Sequence, residues 1–210
     1  MHTLGMSLPE EKATALWHAL QRGEENALNG LYHLYRDDLY SYAKRITFSE
    51  EAALNAIQEL FLRLWNSRQI LGEANSVKAY LLSTLRRLLM QEIRGRQKYS
   101  VWSDDFEAQT GFSEFSPEDV VILDESTSLK KEVVARLLNS LTDRQREIVY
   151  LRYYEDLSLT EIAEMLNINY QSVINHLQRA FLKVRSQITP GQLAALLCVT
   201  GLALFFASCG

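Results

Sequence analysis

Residues 141–185 of the chain read LTDRQREIVYLRYYEDLSLTEIAEMLNINYQSVINHLQRAFLKVR. Thr142 with Gln145, and Ser158 with Glu161, have the spacing of capping boxes, in which the two side chains satisfy backbone N–H groups at a helix start. The stretch therefore predicts two helix starts, at residues 142 and 158.

A short break then separates the second helix from a third. Asn167 can adopt the left-handed turn conformation, Ile168 can pack into the core, and Asn169 can cap the helix that follows. Three short helices with this tight connection predict a helix-turn-helix.

The third helix has two distinct faces. Its apolar residues recur every three or four positions and can pack on the two preceding helices; they are Val173, Leu177, Ala180, Phe181 and Val184, opposite Ile148, Leu151, Ile162, Ala163 and Leu166. The outward residues are Tyr170, Gln171, Ser172, Asn175, His176 and Arg179.

That outward face suits the major groove of DNA. The amides of Gln171 and Asn175 can both donate to and accept from a base edge, and Arg179 can reach a phosphate or a guanine. The alternative is a helical hairpin whose polar face is simply solvated.

Composition predicts an almost entirely helical protein. The 210 residues are 47% hydrophobic and include only three prolines and nine glycines, enough apolar material for one or two cores with few helix breakers. The net charge of -4 is uneven, because residues 99–128 hold eight acidic residues and no basic one. The segments on either side are each mildly basic, so the overall charge does not exclude a nucleic-acid partner.

The chemistry-bearing residues do not form a catalytic or metal site. Both cysteines, Cys198 and Cys209, lie in the C-terminal tail, which fits a reducing cytoplasm. The four histidines, His2, His18, His33 and His176, are scattered with no cysteine near them, so we expect no metal. No stretch resembles a nucleophile with its base or a glycine-rich phosphate loop, so we expect no cofactor and no enzymatic activity. The N-terminus lacks the apolar core of a cleavable signal.

Four helices are expected in residues 1–98. The first runs from Ser7 or Pro9 to about Arg22, the second from Glu24 to Arg45, the third from the cap Ser49 to Ser67, and the fourth from Val77 to Gln97. The third, with IQELFLRLW at its centre, is apolar around most of its circumference. It is therefore either buried between layers or offers part of its surface to a partner.

The fourth helix ends in a basic cluster. Aromatic residues lie nearby, a mixture that can hold phosphates and stack on exposed bases; a solvated helix end complementing the helix dipole is the alternative. The candidate residues are Tyr80, Arg86, Arg87, Arg94, Arg96 and Lys98.

Two further segments complete the predicted domain organisation. Residues 99–128 resemble an acidic linker, either solvated or occupying a nucleic-acid channel as a mimic. Residues 188–210 form an apolar tail whose run from Leu193 to Ala207 is short for a bilayer. A membrane anchor, a helix held by a membrane-bound regulator and a helix docked on the protein itself all remain open, and Lys183 and Arg185 before the tail favour a cytoplasmic body.

From about residue 27 to 187 the chain resembles a bacterial sigma factor of the sigma-70 family, extracytoplasmic-function (ECF) branch. The similarity lies in QELFLRLW (58–65), in VKAYLLSTLRRLL followed by IRGRQK (77–98), and in the stretch 141–185 quoted above. The resemblance implies an all-α fold with a region 2-like helical domain, 1–98, and a region 4-like helix-turn-helix domain, 129–187.

The resemblance also implies partners for each surface. Core RNA polymerase would bind the third helix through Gln58, Glu59, Leu62 and Trp65; the fourth helix would capture the minus-ten promoter strand, and the helix from Tyr170 would read the minus-thirty-five element. An anti-sigma factor is expected as a regulator. The protein would then be a cytoplasmic initiation factor, with its tail, 190–210, as a candidate membrane contact or tether.

Several positions depart from the family pattern. Leu54 and Asn55 stand where the family commonly has an acidic pair, and Arg87 and Gln91 where it often has Asn and Asp. Ile174, His176 and Phe181 replace usual basic residues of the recognition helix, so the isolated domain should bind DNA more weakly and with less salt dependence. A stand-alone helix-turn-helix regulator or a membrane-tethered signalling adaptor is the alternative function.

Overall fold

The computed structural model describes residues 8–97, 111–120 and 128–187. The chain divides into two compact units, with the boundary between Thr110 and Gly111. Across the described ranges the regular structure consists of eight α-helices with two short 3-10 turns and contains no strand. The predicted all-α class is thus confirmed for this part of the chain, whereas the predicted tail lies outside it.

The first unit contains α1 (Leu8–Gln21), α2 (Glu25–Thr47), α3 (Glu50–Ser67) and α4 (Val77–Gln97). Local signals explain the boundaries between them. Gly23 ends α1 with φ +88°, a conformation that glycine adopts without a Cβ penalty, and the Ser49 side chain caps α3 by accepting from the Ala52 N–H at 3.3 Å. Each predicted helix is present, with ends within about two residues of expectation.

The core of the first unit forms around α2, which packs against all three of its neighbours. Along α2 the apolar residues Leu31, Tyr35, Leu39 and Tyr42 are buried, and Leu28 and Leu34 are half-buried. The largest side chains that are fully enclosed in this unit are Trp17, Leu20, Leu31, Leu39, Tyr42, Leu60, Leu81, Leu82, Leu85 and Leu89. Burial on this scale contributes about 1.5 to 3 kcal/mol for each large side chain.

The second unit contains α5 (Ser128–Asn139), α6 (Asp143–Tyr153), α7 (Leu159–Leu166) and α8 (Tyr170–Ser186). Both predicted capping boxes are present, at the starts of α6 and α7. Asn167 is left-handed with φ 52°, and Asn169 Oδ1 accepts from the Ser172 N–H at 2.7 Å. The helix-turn-helix prediction is confirmed, although Ile168 is only half-buried.

Residues 111–120, which lie inside the predicted linker, pack as part of the second unit. Phe112, Phe115 and Val120 are buried. The Phe115 N–H donates to Asn139 Oδ1 at 2.7 Å, and Asn139 Nδ2 donates back to the Phe115 carbonyl at 2.9 Å. We call residues 111–120 the strap. Of the rest of the predicted linker, Ser128 begins α5 and the other residues lie outside the described ranges, and the domain boundaries drawn from the sequence stay predictions.

A buried arginine holds the strap in place. Arg146 is 7% exposed, and its Nε and Nη2 both donate to the Phe112 carbonyl, at 3.2 and 2.9 Å. Its Nη1 donates to the carbonyls of Asn139 and Leu141, and Nη2 also pairs with Asp143. A buried charge is tolerated when it is paired and hydrogen-bonded to this degree.

Candidate functional site

An apolar groove of about 630 Å³ lies between α2 and α3 of the first unit. Leu62 and Leu54, which are 52% and 51% exposed, lie on its α3 side. On the α2 side, the ring of Tyr32 meets that of Phe61 edge-on at 5.2 Å. The groove is lined by Glu25, Leu28, Asn29, Tyr32, Leu54, Ile57, Gln58, Phe61, Leu62 and Trp65. Large leucines left half-exposed around a concavity are typical of a protein-binding surface.

Three of the four predicted polymerase-binding residues share this groove. Gln58, Leu62 and Trp65 are among its lining residues, whereas Glu59 is not. The Glu59 carboxylate instead pairs with Arg63 Nε at 2.6 Å, one turn further along α3. Leu54, noted in the sequence only as a departure from the family pattern, is an additional member of the groove.

The predicted minus-ten residues separate into two groups along α4. Tyr80, Arg87 and Arg94 are exposed, and their spacing of seven residues places them on one stripe of the helix, about 21 Å long. Arg86 is half-buried, one position away from that stripe. The side chain of Arg96, and Lys98 altogether, lie outside what the structure describes.

The predicted minus-thirty-five residues occupy one side of α8. Tyr170, Gln171, Asn175 and Arg179 are exposed, and Ser172 and His176 are half-buried. Gln171 Nε2 donates to Asn175 Oδ1 at 3.2 Å, so the two amides are held next to each other on the surface. On the opposite face Val173, Leu177 and Ala180 are buried as predicted, whereas Phe181 and Val184 are half-buried.

His176 lies close to two arginines. Partial burial lowers the pKa of His176 below its ordinary value, and the charges of Arg144 and Arg179 lower it further. Arg144 belongs to the first turn of α6, and its guanidinium also pairs with Glu147 at 3.3 Å. The packing of α6 against α8 therefore brings a basic residue of another helix to the polar face, which helical periodicity within α8 did not reveal.

No group of three or more histidine, cysteine, aspartate or glutamate side chains within the described ranges has the arrangement of a metal site. No helix among those residues is long and apolar enough to cross a membrane. The described surfaces consist of an apolar groove, an aromatic and basic stripe on α4, and a polar face on α8.

Comparison with known proteins assigns the class. The model for Sigma-70 region 2 matches residues 31–99, and the model for Sigma-70 region 4 matches residues 131–184. The first match contains the α3 side of the groove and the stripe on α4, and the second contains the helix-turn-helix. Together the matches span more than half of the chain.

Curated relatives identify the branch. The chain is 24% identical over 177 residues to the ECF RNA polymerase sigma factor SigW of Bacillus subtilis, covering 80% of this chain and 92% of SigW. It is 29% identical over 164 residues to the ECF RNA polymerase sigma factor SigL of Mycobacterium tuberculosis, covering 77% of this chain and 89% of SigL. The chain belongs to the sigma-70 family of RNA polymerase sigma factors, in its extracytoplasmic-function branch.

Two solved structures share the fold. CnrH, in complex with the cytosolic domain of CnrY, aligns with a TM-score of 0.55 at 16% identity over 84% of this chain and 96% of CnrH. The sigma factor RpoE of Bartonella quintana, in complex with the anti-sigma factor NepR, aligns with a TM-score of 0.52 at 18% identity over 74% of this chain and 92% of RpoE.

Proposed function

We propose that this protein is an initiation factor that binds core RNA polymerase and directs it to specific promoters. The observation that carries this proposal is the presence of two chemically different surfaces: an apolar groove whose α3 side lies in the region 2 match, and a polar helix face in the region 4 match. The polymerase supplies the catalysis, so the chain itself needs no catalytic residue.

The groove between α2 and α3 is the proposed polymerase-binding surface. Leu54 and Leu62 offer apolar area that the unit leaves half-exposed, and Gln58 adds a polar group at the same site. Apolar anchors next to a few polar groups give protein interfaces most of their affinity. Trp65 and Glu59 complete the proposed contact set, Glu59 at its edge.

The stripe on α4 is the proposed minus-ten surface. Tyr80 offers a ring on which an unpaired base can stack, and Arg87 and Arg94 can hold successive phosphates of one strand. Arg86, Arg96 and Lys98 are the remaining basic residues of the proposed minus-ten set. A stripe about 21 Å long is sufficient for several nucleotides of a single strand.

The polar face of α8 is the proposed minus-thirty-five surface. The paired amides of Gln171 and Asn175 can read a base edge, and Arg179 can contact a phosphate or guanine. Tyr170, Ser172 and His176 complete the proposed face, and the N-terminus of α8 favours a nearby phosphate.

One structural neighbour was solved with the cytosolic domain of CnrY and the other with the anti-sigma factor NepR, and we infer that an anti-sigma factor regulates this chain. Its place of action is the cytoplasm, where core polymerase is found. Tethering through residues 190–210 stays a hypothesis, and cell fractionation with and without those residues tests it, since anchoring requires loss of membrane association in the truncated form only.

The groove offers the sharpest test. We expect Leu62→Asp to weaken binding to core polymerase by about 2 kcal/mol or more, roughly thirtyfold, because a charge would be desolvated in an apolar contact. Binding is measured by competition for core enzyme, together with start-site mapping in transcription from a genomic library. The matched control is Ile70→Asp, at a residue that is 85% exposed and outside the groove.

The outcomes separate this proposal from the alternative of a stand-alone DNA-binding regulator. An initiation factor loses transcription with Leu62→Asp while it keeps its helical circular dichroism and its affinity for duplex DNA. Equal polymerase binding by the wild type and both variants, or no polymerase binding by the wild type, would remove the proposal.

A further inference from the structure

The loop that leads into α4 lacks regular structure of its own. Residues 71–76 follow a short 3-10 turn, Arg68–Ile70, and expose Gly72, Glu73 and Asn75 to solvent. An exposed irregular loop is usually variable in conformation unless other elements hold its backbone. Here the helix α1 supplies that support.

Trp17 of α1 links the loop to the proposed minus-ten surface. Its side chain is 2% exposed, and Nε1 donates to the Gly72 carbonyl at 3.1 Å. The same indole meets the Tyr80 ring edge-on, with 5.0 Å between centroids and 67° between planes. The Trp17 side chain therefore holds both the Gly72 carbonyl and the ring of Tyr80, the first residue of the stripe on α4. Tyr80 stays 37% exposed.

Gln21, one turn further along α1, holds the loop a second time. Its Nε2 donates to the Leu71 carbonyl at 2.9 Å and to the Gly72 carbonyl at 3.2 Å. His18 Nδ1 lies 3.1 Å from Gln21 Oε1 and orients the amide so that its NH₂ group faces the loop. Because Gln21 is only half-buried, its replacement disturbs little packing.

The loop in turn sets the first turn of α4. Ser76 Oγ accepts from the Ala79 N–H at 3.1 Å, and the Ser76 carbonyl accepts from the Tyr80 N–H at 3.1 Å. A displaced loop would therefore displace the helix start and Tyr80 with it. We refer to Trp17, Gln21 and the two loop carbonyls they bind, Leu71 and Gly72, as the α1 clasp.

We propose that the α1 clasp holds loop 71–76 and Tyr80 in the geometry that captures the single-stranded minus-ten element, with Trp17 and Gln21 as positioning residues. This inference rests on the proposed function, and it extends the promoter machinery to a helix outside the region 2 match, which begins at residue 31. Preorganisation of a strand-binding surface raises affinity because less ordering is required on binding.

The test uses the holoenzyme of core polymerase with full-length protein. Gln21→Met removes the donor at constant length and without a charge change, and Trp17→Phe removes the indole N–H but keeps an aromatic ring. We expect each variant to bind a fluorescent single-stranded minus-ten oligonucleotide about tenfold more weakly, the scale of one or two lost hydrogen bonds. Thr14→Ala is the matched control, because the hydrogen bond of Thr14 Oγ1 among the described residues stays within α1, to the Glu10 carbonyl at 2.9 Å.

A purely structural role for α1 predicts a different pattern. In that case Gln21→Met and Trp17→Phe would lower the thermal midpoint and the affinity for core polymerase. They would leave the oligonucleotide affinity of the assembled holoenzyme unchanged. We expect core affinity and binding to a duplex minus-thirty-five fragment to stay within about twofold of wild type, well below one hydrogen bond in free energy.

The outcomes also distinguish this inference from the function beneath it. If the wild-type holoenzyme binds the oligonucleotide with sequence preference and Gln21→Met and Trp17→Phe bind it equally well, the clasp proposal is overturned and the proposed function survives. If the wild-type holoenzyme shows no such preference, the minus-ten assignment fails, and the clasp proposal fails with it.

Discussion

The two units of this protein differ in how many polar groups they bury and in what they expose. The first unit encloses an apolar core in which Arg45 is the one buried charged residue among those described, and it leaves Leu54 and Leu62 half-exposed beside the groove. The second unit buries Gln145, Arg146, Glu147 and Glu155, yet covers the outer side of α8 with amides and a guanidinium. Their surfaces differ accordingly in the partners they suit.

The difference matters because apolar and polar surfaces discriminate in different ways. An apolar groove gains affinity from desolvation and discriminates weakly among partners. This property suits contact with core polymerase, which is common to all promoter complexes. Amides held at fixed positions match particular base edges and reject others. The unit with the polar surface is therefore the better candidate for choosing among duplex sequences.

The polar interior of the second unit gives the prediction with the largest effect. Arg146→Met should lower the free energy of unfolding of that unit by about 3 to 5 kcal/mol, because the carbonyls of Phe112, Asn139 and Leu141 lose a buried partner. Amide hydrogen exchange of the full-length protein measures this unit by unit, and peptides from residues 8–97 should keep their protection.

Arg152→Met is the control for that change. Arg152 is half-buried, and its Nη1 donates to the single carbonyl of Leu157 at 2.9 Å, so we expect a loss of only about 1 kcal/mol. Equal losses in the two variants would show that the strap depends on apolar packing of Phe112 and Phe115, and the contrast between the two interiors would disappear.

The polar surface of α8 gives a smaller effect. Gln171→Ala and Asn175→Ala should each weaken holoenzyme binding to a cognate minus-thirty-five duplex by about 1 to 2 kcal/mol and flatten discrimination at one or two base pairs. Arg179→Met should instead weaken all duplexes alike and reduce the salt dependence by about one phosphate contact. Fluorescence titration against single-base variants of the duplex separates these two behaviours.

An exposed amide of the first unit serves as the control here. Asn66→Ala, on α3, should leave duplex affinity unchanged. If Asn66→Ala and Asn175→Ala weakened binding equally, the assignment of sequence recognition to the second unit would be wrong.

His176 provides the smallest effect and a test by pH. Its pKa is lowered in the folded protein, first by burial and then by Arg144 and Arg179, so the unfolded chain binds its proton more readily. The contribution of neutral His176 to the free energy of unfolding is therefore fully present above its ordinary pKa of 6.5. It is lost as the pH falls through the lower pKa of His176 in the folded protein. The thermal midpoint of the full chain should decline slightly below pH 6.5. In free energy this effect should be smaller than that of Arg146→Met on unfolding or of Asn175→Ala on duplex binding.

Substitution identifies the source of that decline. His176→Gln should remove it, and His33→Gln, at an exposed position on α2, should leave it in place. A decline that persists in His176→Gln would point to other titrating groups. It would contradict the proposed effect of Arg144 and Arg179 on His176.

The helix positions and the polar face of α8 could be predicted because they depend on local signals. The capping boxes at Thr142 and Ser158, the left-handed Asn167 and the apolar period of α8 are all determined by residues within a few positions of each other. For α4 the sequence predicted only a basic cluster with aromatic residues nearby, and the helix of the structure places Tyr80, Arg87 and Arg94 of that set on one stripe. The predicted set also included Arg86, which the packing of α4 makes half-buried, because composition does not show how densely neighbouring helices pack.

The strap shows why other features were missed. Residues 111–120 have glycine, proline, serines and three net negative charges without a period, so their composition favours a solvated linker. Their burial depends on Arg146 and Asn139, which lie 34 and 24 residues away from the strap residues they bind. The contact of Trp17 with Gly72, across 55 residues, was equally hidden.

The sequence by itself determined the all-α class, the helix ends and the polar side of the recognition helix, since caps, turns and amphipathic spacing act over one or two helical turns. Only the tertiary structure decided that an arginine next to a helix start is buried, that Leu54 belongs to the groove, and that α1 holds the loop before α4. Those facts arise from groups far apart in the chain, whose desolvation and hydrogen bonding are fixed only when the helices pack.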